Sequence, residues 1–402
     1  MEKIRLGFLG LGQRGNGLLS NVLENFKEID VVAVCDVYED RTDSAAERIG
    51  KERGNMPKKY RKYDDLLGDA EVNTVIISAS WEAHVPLAVA AMRAGKITAL
   101  EVGGAYSVSD CRKLVETYEE TKTPFMFLEN CCFGKNELLV TSMVRKGLLG
   151  EISYCHGSYC HDLRSEICGG VKNRHYRLRN YLSRNCDNYP THELLPIARL
   201  LNINRGNRML SLVSMASKSR GLSEYVKDKE EFAFLKDKHF AQGDVVQTMI
   251  TCANGELITL KLDTSLPRAY SRELSVSGTK GVYNEQGNIL LTEGKFDHEK
   301  GMNEYINSAD DYAKYLPKVW KEITEEEIRA GHGGMDTIML KAFFDAAKNG
   351  KEMPIDVYDA ASAMVVSCLS EASVAGGGKV MEIPDFTNGK WLLREPKDVE
   401  AL

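Results

Sequence analysis

The feature that most constrains this chain is Ile4 to Gly15, IRLGFLGLGQRG, and the apolar segment that follows it to Phe26. Ile4, Leu6, Phe8 and Leu9 form a short apolar run closed by glycines, after which Leu18, Leu19, Val22, Leu23 and Phe26 recur at helical spacing. The stretch reads as strand, tight turn and helix. Gly10, Gly12 and Gly15 fit G-x-G-x-x-G, in which the first glycine makes the turn, the second lets a pyrophosphate approach the backbone and the third packs helix on strand. The amide groups at the start of the helix, with its dipole, are suited to phosphate. A second apolar run, Val31 to Val34, leads to Asp36, 21 residues after Gly15. A carboxylate there accepts from a ribose 2′-OH and repels a 2′-phosphate, which points to NAD rather than NADP.

At 402 residues the chain exceeds one typical domain, and 43% hydrophobic with 27% charged residues is ordinary for a globular protein. Fifty-two Lys+Arg against 58 Asp+Glu leave a net charge of −6, so neither nucleic acid nor an acidic membrane is expected as partner. Ten cysteines without paired C-x-x-C spacing read as reduced thiols, with no metal site. The first strand begins almost at Met1, and no leader or membrane span is apparent, so a cytoplasmic location is expected.

Further apolar runs at Val72–Ser78, Ile97–Leu100 and Pro124–Leu128 alternate with helical segments, with Met56–Leu67 as a short connecting element. That alternation predicts a doubly wound parallel sheet over residues 1–131, an α/β domain of Rossmann type. Ligands of such a sheet sit just past the strand ends, where Trp81, His84, Glu101, Val102 and Asn130 fall. Any one of these alone reads equally as loop capping.

Beyond a helix ending near Lys146 the period changes. Ile152–Cys160, Val245–Thr251, Leu257–Leu262, Glu273–Ser277 and Ile289–Leu291 read as strands joined by short turns, which predicts an α+β domain over 132–402 with a mainly antiparallel open sheet. Asp336–Asn349 and Tyr358–Ala375 read as amphipathic helices, the final helices packing back on the first domain, and the charged stretch Gly221–Phe240 as a surface excursion. Arg174 to His192, RHYRLRNYLSRNCDNYPTH, is too rich in Arg, Tyr, Asn and His for a core segment. Directed hydrogen bonds and aromatic faces suit a sugar, although a solvated loop before a capped helix fits the same letters. His192, at the start of that helix, is either aimed at a ligand or a satisfied structural histidine.

Taken together, GLGQRG, CDVYEDR, WEAHVPLAVAAMRAGK, EVGGAYSVSDC, ENCCFG, HYRLRNY, NCDNYPTHEL, NINRGNRMLSLVSMASKSRGL and MPIDVYDA resemble the Gfo/Idh/MocA oxidoreductases, and more closely the NAD-dependent glycosidases of glycoside hydrolase family 109, known for α-N-acetylgalactosaminidase activity. The resemblance covers most of both halves. It implies tightly held NAD that oxidises the sugar at C3, loss of the C2 proton, elimination at C1, addition of water and return of the hydride, which is an exception to the two-carboxylate scheme. It also implies cofactor contacts at Gln13, Arg14, Asp36, Trp81, Glu82, Ala83, His84, Glu101, Val102 and Asn130. Substrate contacts are implied at Tyr159, Arg177, Tyr189, Pro190, Thr191, His192 and Tyr270, with His192 and Tyr189 as proton-handling catalytic residues. A homo-oligomer is expected from the same likeness. Two departures from the sugar and inositol dehydrogenases of the superfamily stand out: Glu101-Val102-Gly103 replaces their E-K-P, so their proton-handling lysine is missing, and Asn188 replaces an Asp four residues before the histidine, with the adjacent Asp187 expected to point elsewhere. A sugar or inositol dehydrogenase and an NAD-binding carbohydrate sensor remain the alternatives.

Overall fold

The computed structural model describes residues 3–329 and 331–400. They divide into two compact units, one running to Phe133 and including Val319–Ala361, the other comprising Gly134–Lys318 and the chain from Ser362 on.

The first unit is built on six parallel strands: β1 (Arg5–Leu9), β2 (Asp30–Cys35), β3 (Lys58–Tyr60), β4 (Thr74–Ile77), β5 (Ile97–Leu100) and β6 (Phe125–Phe127), in the order β3-β2-β1-β4-β5-β6. This is the order of doubly wound dinucleotide folds, with the reversal between β1 and β4. The central strands are apolar on both faces because helices cover both, as Leu6, Phe8, Val75, Ile76 and Ile77 show by their complete burial. The element read from sequence as a mere connection, Met56–Leu67, contains β3 and the short helix Tyr63–Leu67. Its three strand residues, Lys-Lys-Tyr, have no apolar alternation to announce them, because β3 is an edge whose lysines face water.

Tight contact at the switch point fixes the glycine turn. Gly10 has φ +95°, and a Cβ there would lie 2.6 Å from the Ala79 amide nitrogen. A Cβ on Gly15 would collide with the Gly10 carbonyl, whereas one on Gly12 would meet only Arg41 Nη1 at 3.7 Å. The helix Gln13–Asn25 therefore starts hard against β1 and leaves open space above its first turn. The helix Met335–Asn349 returns to pack beside it, with Phe26 edge-on to Phe344 at 5.1 Å and Asn21 Nδ2 donating to Thr337 Oγ1 at 3.0 Å.

The second unit holds an eight-stranded sheet of β7 (Ile152–Cys160), β8 (Met209–Ala216), β9 (Val245–Cys252), β10 (Leu257–Asp263), β11 (Ser275–Gly278), β12 (Gly281–Asn284), β13 (Ile289–Thr292) and β14 (Met381–Glu382), in the order β13-β12-β11-β7-β10-β9-β8-β14. All pairings are antiparallel except β7 with β10. Along β9, Val246, Thr248, Ile250 and Cys252 are buried while Gln247, Met249 and Thr251 face out, the period-2 signature of a sheet covered on one side.

One sequence expectation is corrected here. The helix Val357–Ala375 is buried on nearly every face as far as Ser370 rather than amphipathic, since its small residues admit neighbours all round. The stretch Gly221–Phe240 lies mostly exposed at the surface, as the sequence suggested, anchored by Leu222, Val226, Phe232, Leu235 and Phe240. Among the described residues no disulfide is formed, every cysteine but Cys368 is buried, and no helix is long and apolar enough to cross a membrane.

Gly10→Ala is expected to destabilise the protein by more than about 2 kcal/mol in urea unfolding, since the new Cβ meets backbone in a left-handed conformation. Gly12→Ala, with only a flexible arginine tip near its Cβ, should keep the stability of the unmodified protein within about 1 kcal/mol and instead weaken NAD binding.

Candidate active site

In the first unit the predicted cofactor residues fall into three groups. Asp36, at the end of β2, accepts from the Leu11 amide at 2.7 Å and the Tyr38 amide at 3.0 Å, and so ties the glycine turn to the next strand. Arg41 Nη1 lies 3.6 Å from the same carboxylate. Gln13 opens the helix exposed, and no side chain caps that end. The orphan amides of the first turn and the open space at Gly12 suit a pyrophosphate. The residues present therefore fit NAD.

The second group is the Trp81–His84 turn, the start of the helix Trp81–Arg93. Trp81 is buried with its indole against the Cα of Gly103, so close that a Cβ at 103 would overlap the ring. The EVGG text therefore has a packing reason as well as a missing lysine: Val102 is buried, and Gly103 makes room for the indole. Glu82 and Ala83 are partly exposed at the helix start. His84 is buried with Nε2 donating to the Ala79 carbonyl at 3.1 Å, and burial pushes its pKa down to about 4. It is a neutral ring that shapes the turn.

The third group is a charged network. Arg14 Nε donates to Glu101 Oε1 at 2.8 Å, while Nη1 and Nη2 reach both oxygens of Asp336 at 2.7 and 2.9 Å. Asn130 Nδ2 donates to Asp336 Oδ1 at 2.8 Å, and His332 Nδ1 lies 2.8 Å from Oδ2. The other Glu101 oxygen accepts from the Val102 amide at 3.0 Å. Burial opposes the charge on Arg14, yet the two carboxylates more than offset it and raise its pKa. Burial would likewise raise Asp336, but Arg14 and His332 hold it well below the usual carboxylate range. For Glu101 burial prevails over the pull of Arg14, and its pKa is raised. Sequence reasoning reached Arg14, Glu101 and Asn130 and missed Asp336 and His332, whose only signal was the GHGGMD text before a helix.

In the second unit five of the predicted substrate residues form one cluster. Gly157 in β7 explains how: a Cβ there would come within 2.8 Å of Glu193 Cβ and 3.1 Å of Ile197 Cδ1, so only glycine lets the helix Thr191–Leu200 lie this close to the strand. Tyr159 projects from the same face two residues on, and the helix start carries Tyr189 and His192 against it. Ring centroids are 4.6 Å apart for Tyr159 and Tyr189, 4.8 Å for Tyr189 and His192, and 5.5 Å for Tyr159 and His192. Tyr189 Oη is 3.4 Å from His192 Nε2, a distance that a small closure makes a good hydrogen bond. Arg177, buried, sits 5.0 Å from the Tyr189 ring centre and pairs with Glu166 at 2.7 Å. Tyr270, half exposed, completes the edge. Pro190 and Thr191 are buried behind the cluster and fix the helix start.

His161 and Glu166 were not foreseen. His161 lies edge-on to Tyr270 at 5.2 Å with Nδ1 3.3 Å from Tyr159 Oη, and burial lowers its pKa. The loop bearing Tyr270 is clamped by Arg268, which bonds Asp263 Oδ2 at 2.6 Å and Glu273 Oε1 at 2.9 Å. The extended lead-in to Tyr189 and His192 is held by Gln242, whose amide accepts from Asn188 Nδ2 at 3.0 Å and donates to the Cys186 carbonyl at 2.9 Å. Asn188 is thus occupied in that clamp, and Asp187 turns the other way, into the core, where its Oδ2 accepts from Thr248 Oγ1 at 3.3 Å and its amide donates to Ser370 Oγ at 2.9 Å.

Burial pushes the Asp187 carboxyl from the ordinary 3.8 up to about 7, with Thr248 offsetting only part. The folded protein keeps a proton there that the unfolded chain releases near pH 4, so stability falls as pH rises through that window. Asp187→Asn, which cannot ionise, should lack this slope. Its gain over the unmodified protein is expected to grow between about pH 4 and about pH 7, to roughly 4 kcal/mol, as read by urea unfolding at each end of the range.

Comparison with known proteins follows the two units. Residues 4–128 match the oxidoreductase family, NAD-binding Rossmann fold, and residues 133–393 match the glycosyl hydrolase 109, C-terminal domain. The chain is 39% identical to an alpha-N-acetylgalactosaminidase of Tannerella forsythia over 98% of its own length and 88% of that protein, and 37% identical to a glycosyl hydrolase family 109 protein of Parabacteroides distasonis over 98% and 89%. A levoglucosan dehydrogenase solved with NADH and levoglucosan superposes with a TM-score of 0.70 at 17% identity, covering 95% of this chain and all of that one. A scyllo-inositol dehydrogenase of Lactobacillus casei superposes at 0.65 and 13%, covering 95% and 99%. The structural neighbours share the fold; the sequence relatives, matched across both units, make this chain a member of glycosyl hydrolase family 109, on the NAD-binding Gfo/Idh/MocA fold.

Proposed function

We propose that this protein is an NAD-dependent glycosidase acting on N-acetylgalactosaminides or closely related glycosides. The observation that carries the reading is the cluster of Tyr159, Tyr189, His192 and Tyr270 beside Arg177, together with a buried valine where sugar dehydrogenases of this fold keep a lysine. Bound NAD supplies a hydride acceptor, and later donor, for a sugar carbon.

The chain's own part is to bind the sugar and move protons. Tyr159 and Tyr270 offer ring faces and hydroxyls to a pyranose, while Arg177, anchored by Glu166, supplies fixed donors. Tyr189 and His192 form a donor–acceptor pair able to take a proton from the C3 hydroxyl or from C2 once C3 is a ketone. Gln13, with the glycine turn, and Asp36 hold the dinucleotide; Trp81, Glu82, Ala83, Val102 and Asn130 border its reactive end, with His84 shaping that turn. No pair of carboxylates flanks the sugar in this scheme. The two carboxylates of the charged network, Glu101 and Asp336, are engaged by Arg14.

The test is a panel of aryl α- and β-glycosides of N-acetylgalactosamine, N-acetylglucosamine, galactose and glucose, following aryl release and NADH absorbance together. Many aryl groups released per bound cofactor with no NADH accumulating is the expected result. NADH formed in proportion to substrate without cleavage would establish a dehydrogenase instead. In the same assay His192→Ala should lower turnover by about a hundredfold or more while circular dichroism stays unchanged; near-normal turnover would remove His192 from its role.

A further inference from the structure

We propose that Asp336 is a positioning residue of the cofactor site, acting through Arg14 and Asn130 from a helix that lies outside the dinucleotide fold's own sequence. The inference rests on the cofactor being NAD and is independent of which sugar is cleaved.

Two proposed cofactor-site residues from different strand ends bond this one carboxylate, and a third is linked to it through one of them. Arg14 comes from the helix after β1, Asn130 from the turn after β6, and Glu101, at the end of β5, is drawn in through the same guanidinium. Strand ends are where this fold binds its ligand. The fork of Arg14 is filled on two sides by carboxylates, so its position is set to within a rotamer, whereas the Nε contact to Glu101 alone would leave both terminal NH2 groups unheld.

The backbone that delivers Asp336 is itself constrained. Gly331, His332, Gly333 and Gly334 all have positive φ, at 73°, 45°, 64° and 93°. His332 is no glycine, and a residue held in the left-handed region costs of order 1–3 kcal/mol. That conformation places His332 Nδ1 on Asp336 Oδ2, so the strained residue braces the carboxylate. Burying the Glu101 and Asp336 carboxylates against a partly exposed Arg14 gains little for packing alone, because apolar residues of similar volume usually hold helices together at least as well. The helix Met335–Asn349 already has such a contact in Phe344 against Phe26. The charges are better explained by what they hold still.

The measurement is NAD affinity of the full-length, cofactor-stripped protein by equilibrium dialysis, alongside the melting temperature of that stripped protein. Asp336→Asn keeps the shape and removes the charge; Arg14→Gln removes the group it holds. Each is expected to weaken NAD binding roughly tenfold, with the stripped protein melting within a few degrees of the unmodified one. The double variant should bind NAD no more weakly than Arg14→Gln alone, and Asp336→Glu should restore part of the loss. NAD affinity within about twofold of the unmodified protein in Asp336→Asn, or losses that multiply in the double variant, would overturn the proposal. A large fall in melting temperature with unchanged affinity would also overturn it, making Asp336 a staple of its helix. None of these readouts depends on glycoside turnover, so failure here is separable from failure of the glycosidase reading.

Discussion

The first unit depends on one steric constraint, the contact of the turn after β1 with the end of β4. Gly10 must adopt a left-handed conformation where a Cβ would lie 2.6 Å from the Ala79 amide nitrogen, and Gly15 must lie on the Gly10 carbonyl, before the helix Gln13–Asn25 can start where it does. Ser78 Oγ then donates to the Gly10 carbonyl at 2.8 Å and Asp36 takes the Leu11 amide, so the turn is held from both neighbouring strands. The cradle is therefore preorganised rather than assembled around its ligand, which is how a fold limits the entropy lost on binding.

The second unit solves a comparable problem with one glycine and one glutamine. Gly157 removes the side chain that would keep the helix Thr191–Leu200 off β7, and the helix start then sets His192 and Tyr189 beside Tyr159. Gln242 uses both ends of its amide on the irregular lead-in, satisfying backbone and side-chain groups that no regular element would. His192 thus stands on a helix and Tyr159 on a strand, while Tyr189 lies on the extended lead-in and Tyr270 on a loop braced by Arg268. Rigid elements hold reacting groups more closely than loops do.

Charge is handled differently in the two places. Around Tyr159 the groups are aromatic or neutral, with Arg177 balanced by Glu166, which suits an uncharged sugar. Around Arg14 two carboxylates share one guanidinium, and the network is held in place because Nε, Nη1 and Nη2 are each bonded to a carboxylate oxygen.

Much of this was legible in the amino-acid order. The glycine fingerprint, the strand-end Asp36 and the alternation of apolar runs specify a dinucleotide fold, because turn sterics and periodicity are local; the long shared stretches carried the family. The residues of the aromatic cluster were recognisable as types, since Tyr, Arg and His crowded into one segment do not make a core. What only tertiary structure decided lies in contacts between distant residues. Asp336 stands 322 positions from Arg14, and nothing in a window around either names the other. The fate of Asp187 and Asn188 depended on which neighbour filled each side of one extended segment, and β3 escaped notice because an edge strand facing water has no apolar period. His161 joined the site only because β7 ends beside the Tyr270 loop. Local sequence sets what each element is, and the packing of elements sets which side chains share a space.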